Sequence, residues 1–219
     1  MLSILTDFSY FDEAYSLCRV VMNQSKMLKI AKIQHQIIAK SGFSDTAKGF
    51  LKCPIVEISG VSSSNRVHVT DQSGVEIDIL TADLFDVLSS SDVIVTHDLI
   101  YQPALWQYHV AARRFAKKNP KIKWLHWVHS ATDMNTVYQM GDFSREVKAK
   151  WHNARLVAFH DTEKTFKANM YGYDPDKVVT IPNPVNILEH LSSEASSAIC
   201  KGKMVEADIT AVFPSRCGS

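Results

Sequence analysis

The chain has 219 residues, 46% hydrophobic and 21% charged, a balance that supports a full buried core and the class of globular proteins. Its 24 basic and 23 acidic side chains nearly cancel, so the broad positive footprint of a nucleic-acid binder is missing. No run approaches the roughly 18 apolar residues of a membrane-spanning helix, and the amino terminus carries acids rather than a basic flank before an apolar stretch, which makes the expected location cytoplasmic.

Apolar runs of strand length alternate with helical patterns, the signature of a parallel sheet covered by helices. Leu2 to Thr6 suits a first buried strand, and Tyr10 to Ser41 holds a long helical stretch that stops at Ser41-Gly42. Ile55 to Ile58 reads as the second strand. Arg66 to Leu80 alternates as a hairpin does, with Asp71-Gln72-Ser73-Gly74 at its turn. Thr81 to Ser90 reads as a short helix capped by Thr81, leading into the strand Asp92 to His97. Gln102 to Lys118 is an amphipathic helix closed by Asn119-Pro120, and Ile122 to Val128 is a Trp-rich strand ending at His129-Ser130. Asp142 to His152 is a helix, Arg155 to Phe159 a strand, Thr162 to Tyr171 a helix stopped by Gly172, and Val178 to Ile181 a strand. Asn183 to Lys203 suits a helical connector, and Ala207 to Phe213 a further buried strand. The expected class is α/β, a Rossmann-like parallel sheet with helices on both faces. Three segments follow: a domain over 1–182, a linker over 183–206, and over 207–219 the first strand of a second domain.

In an open parallel sheet, ligands bind outside the carboxyl ends of the strands, near the point where strand order reverses. Asp7, His97 with Asp98, His129 with Ser130, and His160 with Asp161 fall at such ends. An imidazole there hydrogen-bonds a hydroxyl or phosphate oxygen, or exchanges a proton near neutral pH. With nine histidines in the chain, the competing reading is that strand-end histidines cap turns, above all His160, and that His126 is a packed sheet residue. His126 and His129 are three apart on a strand, which sends them to opposite faces and argues against shared metal ligation. Cys18, Cys53, Cys200 and Cys217 form no CxxC and read as buried or incidental thiols. The lysines at 117, 118, 121 and 123 read as a solvated helix end. Neither GxGxxG, GxxxxGK[ST] nor GxSxG occurs, so no dinucleotide fingerprint, P-loop or hydrolase elbow is indicated.

Asp92-Val93-Ile94-Val95-Thr96-His97, Lys123 to Ser130, Arg155 to Phe159, and Val178-Val179-Thr180-Ile181-Pro182-Asn183-Pro184-Val185-Asn186 resemble, in order and spacing, successive landmarks of the amino-terminal half of GT-B glycosyltransferases of the retaining family 4 type. The resemblance implies two Rossmann-like domains, the first holding the acceptor and the second a nucleotide-sugar donor. It makes His129 the catalytic candidate, approaching the donor sugar and its phosphate, and Ser130 and Arg216 donor-binding residues. Asp7, Ser9, Tyr10, His97 and Asp98 become acceptor contacts, with Asp7 to Asp12 standing where the family carries a Gly-rich loop. A planar guanidinium fork suits diphosphate oxygens. No cofactor and no metal are expected, the nucleotide sugar being substrate. The partners implied are that donor and an acceptor glycan, lipid or small molecule, with transient contact at a membrane surface for a lipid acceptor. The lysine and glutamates of the family's donor site have no counterpart after Arg216, so the 219 residues alone are expected to lack transferase activity. Two other readings stay open: a GT-B sugar-nucleotide epimerase, and a non-catalytic Rossmann-like binding module in which Ala207 to Phe213 joins the main sheet.

Overall fold

The computed structural model describes residues 1–61, 71–129 and 141–184, all within one compact unit, Met1–Pro184. The described residues form a single sheet of strands β1 (Leu2–Leu5), β2 (His35–Lys40), β3 (Ile55–Ile58), β4 (Val93–His97), β5 (Lys123–Trp127), β6 (Ala154–Ala158) and β7 (Val178–Thr180). Every pair is parallel, in the order β3-β2-β1-β4-β5-β6-β7. The helices are α1 (Ser16–Ile30), α2 (Phe43–Ala47), α3 (Asp71–Leu88), α4 (Trp106–Lys118), α5 (Ser144–Lys148) and α6 (Lys164–Tyr171).

The sheet is covered on both faces because its strands are apolar at odd and even positions alike. Ile4, Ile37, Ala39, Val95, Trp127 and Val157 point to one side and pack with Cys18, Val21, Met22 and Leu28 of α1 and with Phe43 of α2. Their strand neighbours Leu5, Ile38, Ile94, Leu156 and Ala158 point to the other, against Leu80 and Leu84 of α3, Val110 and Phe115 of α4, and Ala168 of α6. This is the expected α/β architecture, and Gly172, in the left-handed region at φ 71°, ends α6 as expected.

Three expectations are corrected. The helical stretch within Tyr10 to Ser41 ends at Ile30, and His35–Lys40 is a strand next to β1, so Ile55–Ile58 is the third strand rather than the second. Ile37, Ile38 and Ala39 are wholly buried on both faces, an arrangement that removes the alternation by which a half-exposed strand is read. The hairpin over Arg66 to Leu80 and the separate helix over Thr81 to Ser90 give way to the single helix α3; residues 66–70 lie outside those described. Val75 and Ile79, two of the residues that suggested a strand, are exposed, whereas Ile77, Leu80, Leu84 and Leu88 are fully buried at helical spacing. Thr81 caps nothing: its hydroxyl donates to the Ile77 carbonyl 2.6 Å away, one turn back. Finally, the helix over Asp142 to His152 is a 3-10 turn, Gly141–Phe143, followed by the short α5. The connector and the strand Ala207 to Phe213 lie outside the described residues.

Gly74 sits inside α3 with open space where a Cβ would project. Gly74→Ala is therefore expected to raise stability by about 0.5–1 kcal/mol, read as a higher urea midpoint at unchanged slope. A loss of stability would return this segment to a turn.

Candidate functional site

Strand order reverses between β1 and β4, so the crevice opens where the carboxyl ends of these strands diverge. His97 is the last residue of β4 and pairs with Trp127 of β5, which puts His129, two residues on, on the same face of the sheet. His97 Nδ1 lies 2.9 Å from His129 Nε2, and His97 Nε2 lies 2.9 Å from the Oε1 of Gln24 on α1. The His97 ring also stacks on Trp127, with centroids 5.4 Å apart. Burial and the neighbouring His129 push the pKa of His97 down to about 3, so this imidazole is neutral at physiological pH. His129 is half-buried and its pKa is also lowered: desolvation leads, the Lys167 ammonium acts in the same direction, and the Asp98 carboxylate opposes both.

Asp98 ties the two strand ends together. It adopts a left-handed φ of 54°, which a short polar side chain tolerates. Its backbone N–H donates to the Trp127 carbonyl at 2.8 Å, and its Oδ1 accepts the His129 backbone N–H at 2.7 Å. On the far side, Lys167 of α6 is buried: its Nζ donates to the Val128 carbonyl at 2.7 Å, pairs with Glu163 at 2.8 Å and lies over the Phe159 ring, which also contacts His129.

The loop after β1 is pinned by aromatic residues where the resembled family has glycines. Phe8 and Phe11 are buried against Phe43, and Asp12 Oδ1 accepts the Ala14 N–H at 2.8 Å as the chain turns toward α1. Leu5 pairs with Thr96, so Asp7 comes two residues past that pair, beside the turn at Asp98. Desolvation raises the pKa of Asp7, with Lys40 opposing it. Ser9 and Tyr10 are exposed and make no hydrogen bond to the histidines. The structure thus gathers His97, Asp98 and His129, sets Asp7 across the switch point and leaves Ser9 and Tyr10 at the rim. Ser130 and Arg216 lie outside the described residues.

The other strand-end candidate has structural duties. Asp161 accepts from Lys164 at 2.7 Å and from the Thr180 hydroxyl at 2.6 Å, while the His160 carbonyl caps the following 3-10 turn. His126 is fully buried on the opposite face, 2.9 Å from the Thr96 hydroxyl, as its phase on the strand requires. Two site residues escaped sequence reasoning, Gln24 and Lys167. Each left a signal: a polar side chain on the buried stripe of its helix, Gln24 among Val21 and Leu28, Lys167 beside Ala168 and Tyr171. A cavity of about 440 Å³ lies elsewhere, lined by Arg113, Trp151 and Tyr171 among others, and includes neither His97 nor His129.

No family model and no curated protein matches the sequence. Among solved structures the chain is similar to a glycosyltransferase from Rickettsia africae ESF-5, at 16% identity and a TM-score of 0.56 over 95% of this chain and 50% of that one. It also aligns with WaaG, a glycosyltransferase involved in lipopolysaccharide biosynthesis, at 10% identity and a TM-score of 0.42 over 83% of this chain and 45% of that one. The first likeness establishes the α/β fold, and the chain spans about half the length of that glycosyltransferase.

The buried histidines make stability acid-sensitive. His97 and His109 have folded pKa values of about 3 against 6.5 when free. Because those values are depressed, their contribution is whole above about pH 6.5 and is lost as pH falls toward about 3. Urea midpoints are expected to drop across that window, and by less in His97→Gln than in the parent chain. Equal drops in both would show that His97 is not held neutral.

Proposed function

We propose that this chain forms the acceptor-side lobe of a GT-B glycosyltransferase, retaining and family 4-like, that moves a sugar from a nucleotide-sugar donor to an acceptor hydroxyl. The observation that carries the reading is the constellation of Asp7, His97, Asp98 and His129 at the switch point. The likeness to half of a glycosyltransferase fits it. In this reading residues 1–182 are the acceptor lobe, 183–206 the hinge and 207–219 the start of the donor lobe. Asp7, Ser9 and Tyr10 join Asp98 in holding the acceptor, His97 taking part through its bond to His129, and Ser130 and Arg216 hold the donor.

The lowered pKa of His129 refines its part. A neutral imidazole brings no charge to a phosphate, so stabilisation of the departing diphosphate falls to cations such as Arg216. The acceptor hydroxyl attacks on the face the donor leaves, which asks for no strong general base. The reading assigns no metal a role, and the location it fits is the cytoplasm, with contact at a membrane surface where the acceptor is a lipid. Among the described residues, no helix is long and apolar enough to cross a membrane.

A panel of mono- and oligosaccharides titrated into the isotope-labelled protein tests this. Saccharide binding is expected to shift resonances of His97, Asp98 and His129, and His129→Ala is expected to weaken it more than about tenfold, or roughly 1.4 kcal/mol. If every saccharide leaves those resonances still, or if His129→Ala binds as well as the parent, the crevice is not an acceptor site.

A further inference from the structure

We propose that Gln24 is a positioning residue: through His97 it fixes His129 as the tautomer protonated at Nε2, so that Nδ1 is the nitrogen offered to a ligand.

Hydrogen-bonding valence carries the inference, one atom at a time. The carbonyl oxygen of a glutamine side chain only accepts, so the 2.9 Å contact between Gln24 Oε1 and His97 Nε2 requires the proton on His97 Nε2. His97 is buried and neutral, so its second nitrogen is bare. Bare Nδ1 accepts, and its partner 2.9 Å away is His129 Nε2, which must therefore donate. A neutral imidazole carries one N–H, which leaves a lone pair on His129 Nδ1. Among the described residues that atom has no partner.

The chain also has a chemical end. Where a carboxylate stands behind a histidine, it stabilises the imidazolium that forms when the ring takes a proton. Here the terminal group is a carboxamide on a buried helix face, which neither carries charge nor takes a proton. His97 sees Trp127 on its flank. The groups acting on His129 are the carboxylate of Asp98, the ammonium of Lys167 on α6 and the ring of Phe159 on β6's carboxyl end. The ring is therefore an acceptor held in place, suited to a ligand hydroxyl and not to a bare phosphate oxygen. The tautomer stands apart from the glycosyltransferase reading; the identity of that hydroxyl as a sugar's rests on it.

Long-range proton–nitrogen correlation spectra of histidine-labelled protein near neutral pH report each ring's tautomer directly. In the parent chain His97 and His129 are both expected as single Nε2–H species. Gln24→Met is expected to leave His129 as a mixture of tautomers. Gln24→Glu, which keeps the shape but adds a charge, is expected to hold the tautomer and move the His129 titration midpoint up by roughly one pH unit. An Nδ1–H form of His97 in the parent chain overturns the proposal. So does a His129 ring that keeps its tautomer in Gln24→Met and its midpoint in Gln24→Glu. Should Gln24→Met fail to fold, the parent spectrum and the Gln24→Glu titration decide. Saccharide binding adds a separate reading. Intact tautomers without any saccharide binding defeat the glycosyltransferase reading alone, and saccharide binding with the wrong tautomers defeats this proposal alone.

Discussion

The crevice depends on the register of β4 against β5. With His97 opposite Trp127 and Thr96 opposite His126, each strand sends one polar residue to each face. Thr96 and His126 meet beneath α4's face of the sheet, while His97 and His129 meet at the rim of α1's face. A slip of one residue would exchange the two sets, because side chains alternate with a period of two. Gln24 would then face Thr96 or Asp98 in place of His97, and the polar groups of both pairs would lose their partners, each costing about 1–3 kcal/mol. Asp98 locks this register beyond the last ladder bond, bonding Trp127 through its own N–H and the N–H of His129 through its carboxylate.

The same residue type serves different ends according to what surrounds it. His35 is held between the Ser25 hydroxyl and the Ile33 carbonyl, and His109 between the Ile100 carbonyl and the Arg113 guanidinium. Both are core histidines with their hydrogen bonds directed inward. His97 is as buried as these, yet its second bond leads to His129, whose ring is only half covered. What distinguishes the candidate site is thus a polar chain that runs from the core to the surface at the point where the sheet divides. The tyrosine pair Tyr101 and Tyr173, joined at 2.8 Å, shows a contrasting case, a polar contact at the wall of the cavity of about 440 Å³, away from the strand-order reversal.

The fold class was legible because it depends on patterns that survive in one dimension. Apolar runs such as Ile94-Val95 and Leu156-Val157 cannot be half exposed, and their alternation with amphipathic segments leaves few architectures to choose from. Asp92 to His97 and Ile122 to Val128 were legible as strands with polar carboxyl ends, and that alone pointed to His97, Asp98 and His129. The strand His35–Lys40 and the helix Asp71–Leu88 were misread for one reason: local periodicity does not say which apolar residues will be covered. Val75 and Ile79 suggest a strand only until the neighbours of Ile77, Leu80 and Leu84 are known.

From the linear order of residues alone follow the parallel α/β class, the strand ends where chemistry gathers, and the opposite facing of His126 and His129. Tertiary structure alone decided that β2 and β3 lie outside β1 and β4 inside, which locates the reversal of strand order. It also decided that Gln24, 73 positions from His97 in sequence, stands within hydrogen-bonding distance of it, and that Lys167 reaches the carbonyl just before His129. Hydrophobic periodicity is a property of neighbouring residues and can be read along the chain. A hydrogen bond between buried side chains depends on how whole elements pack, and that packing is settled by the sum of contacts over the entire sheet.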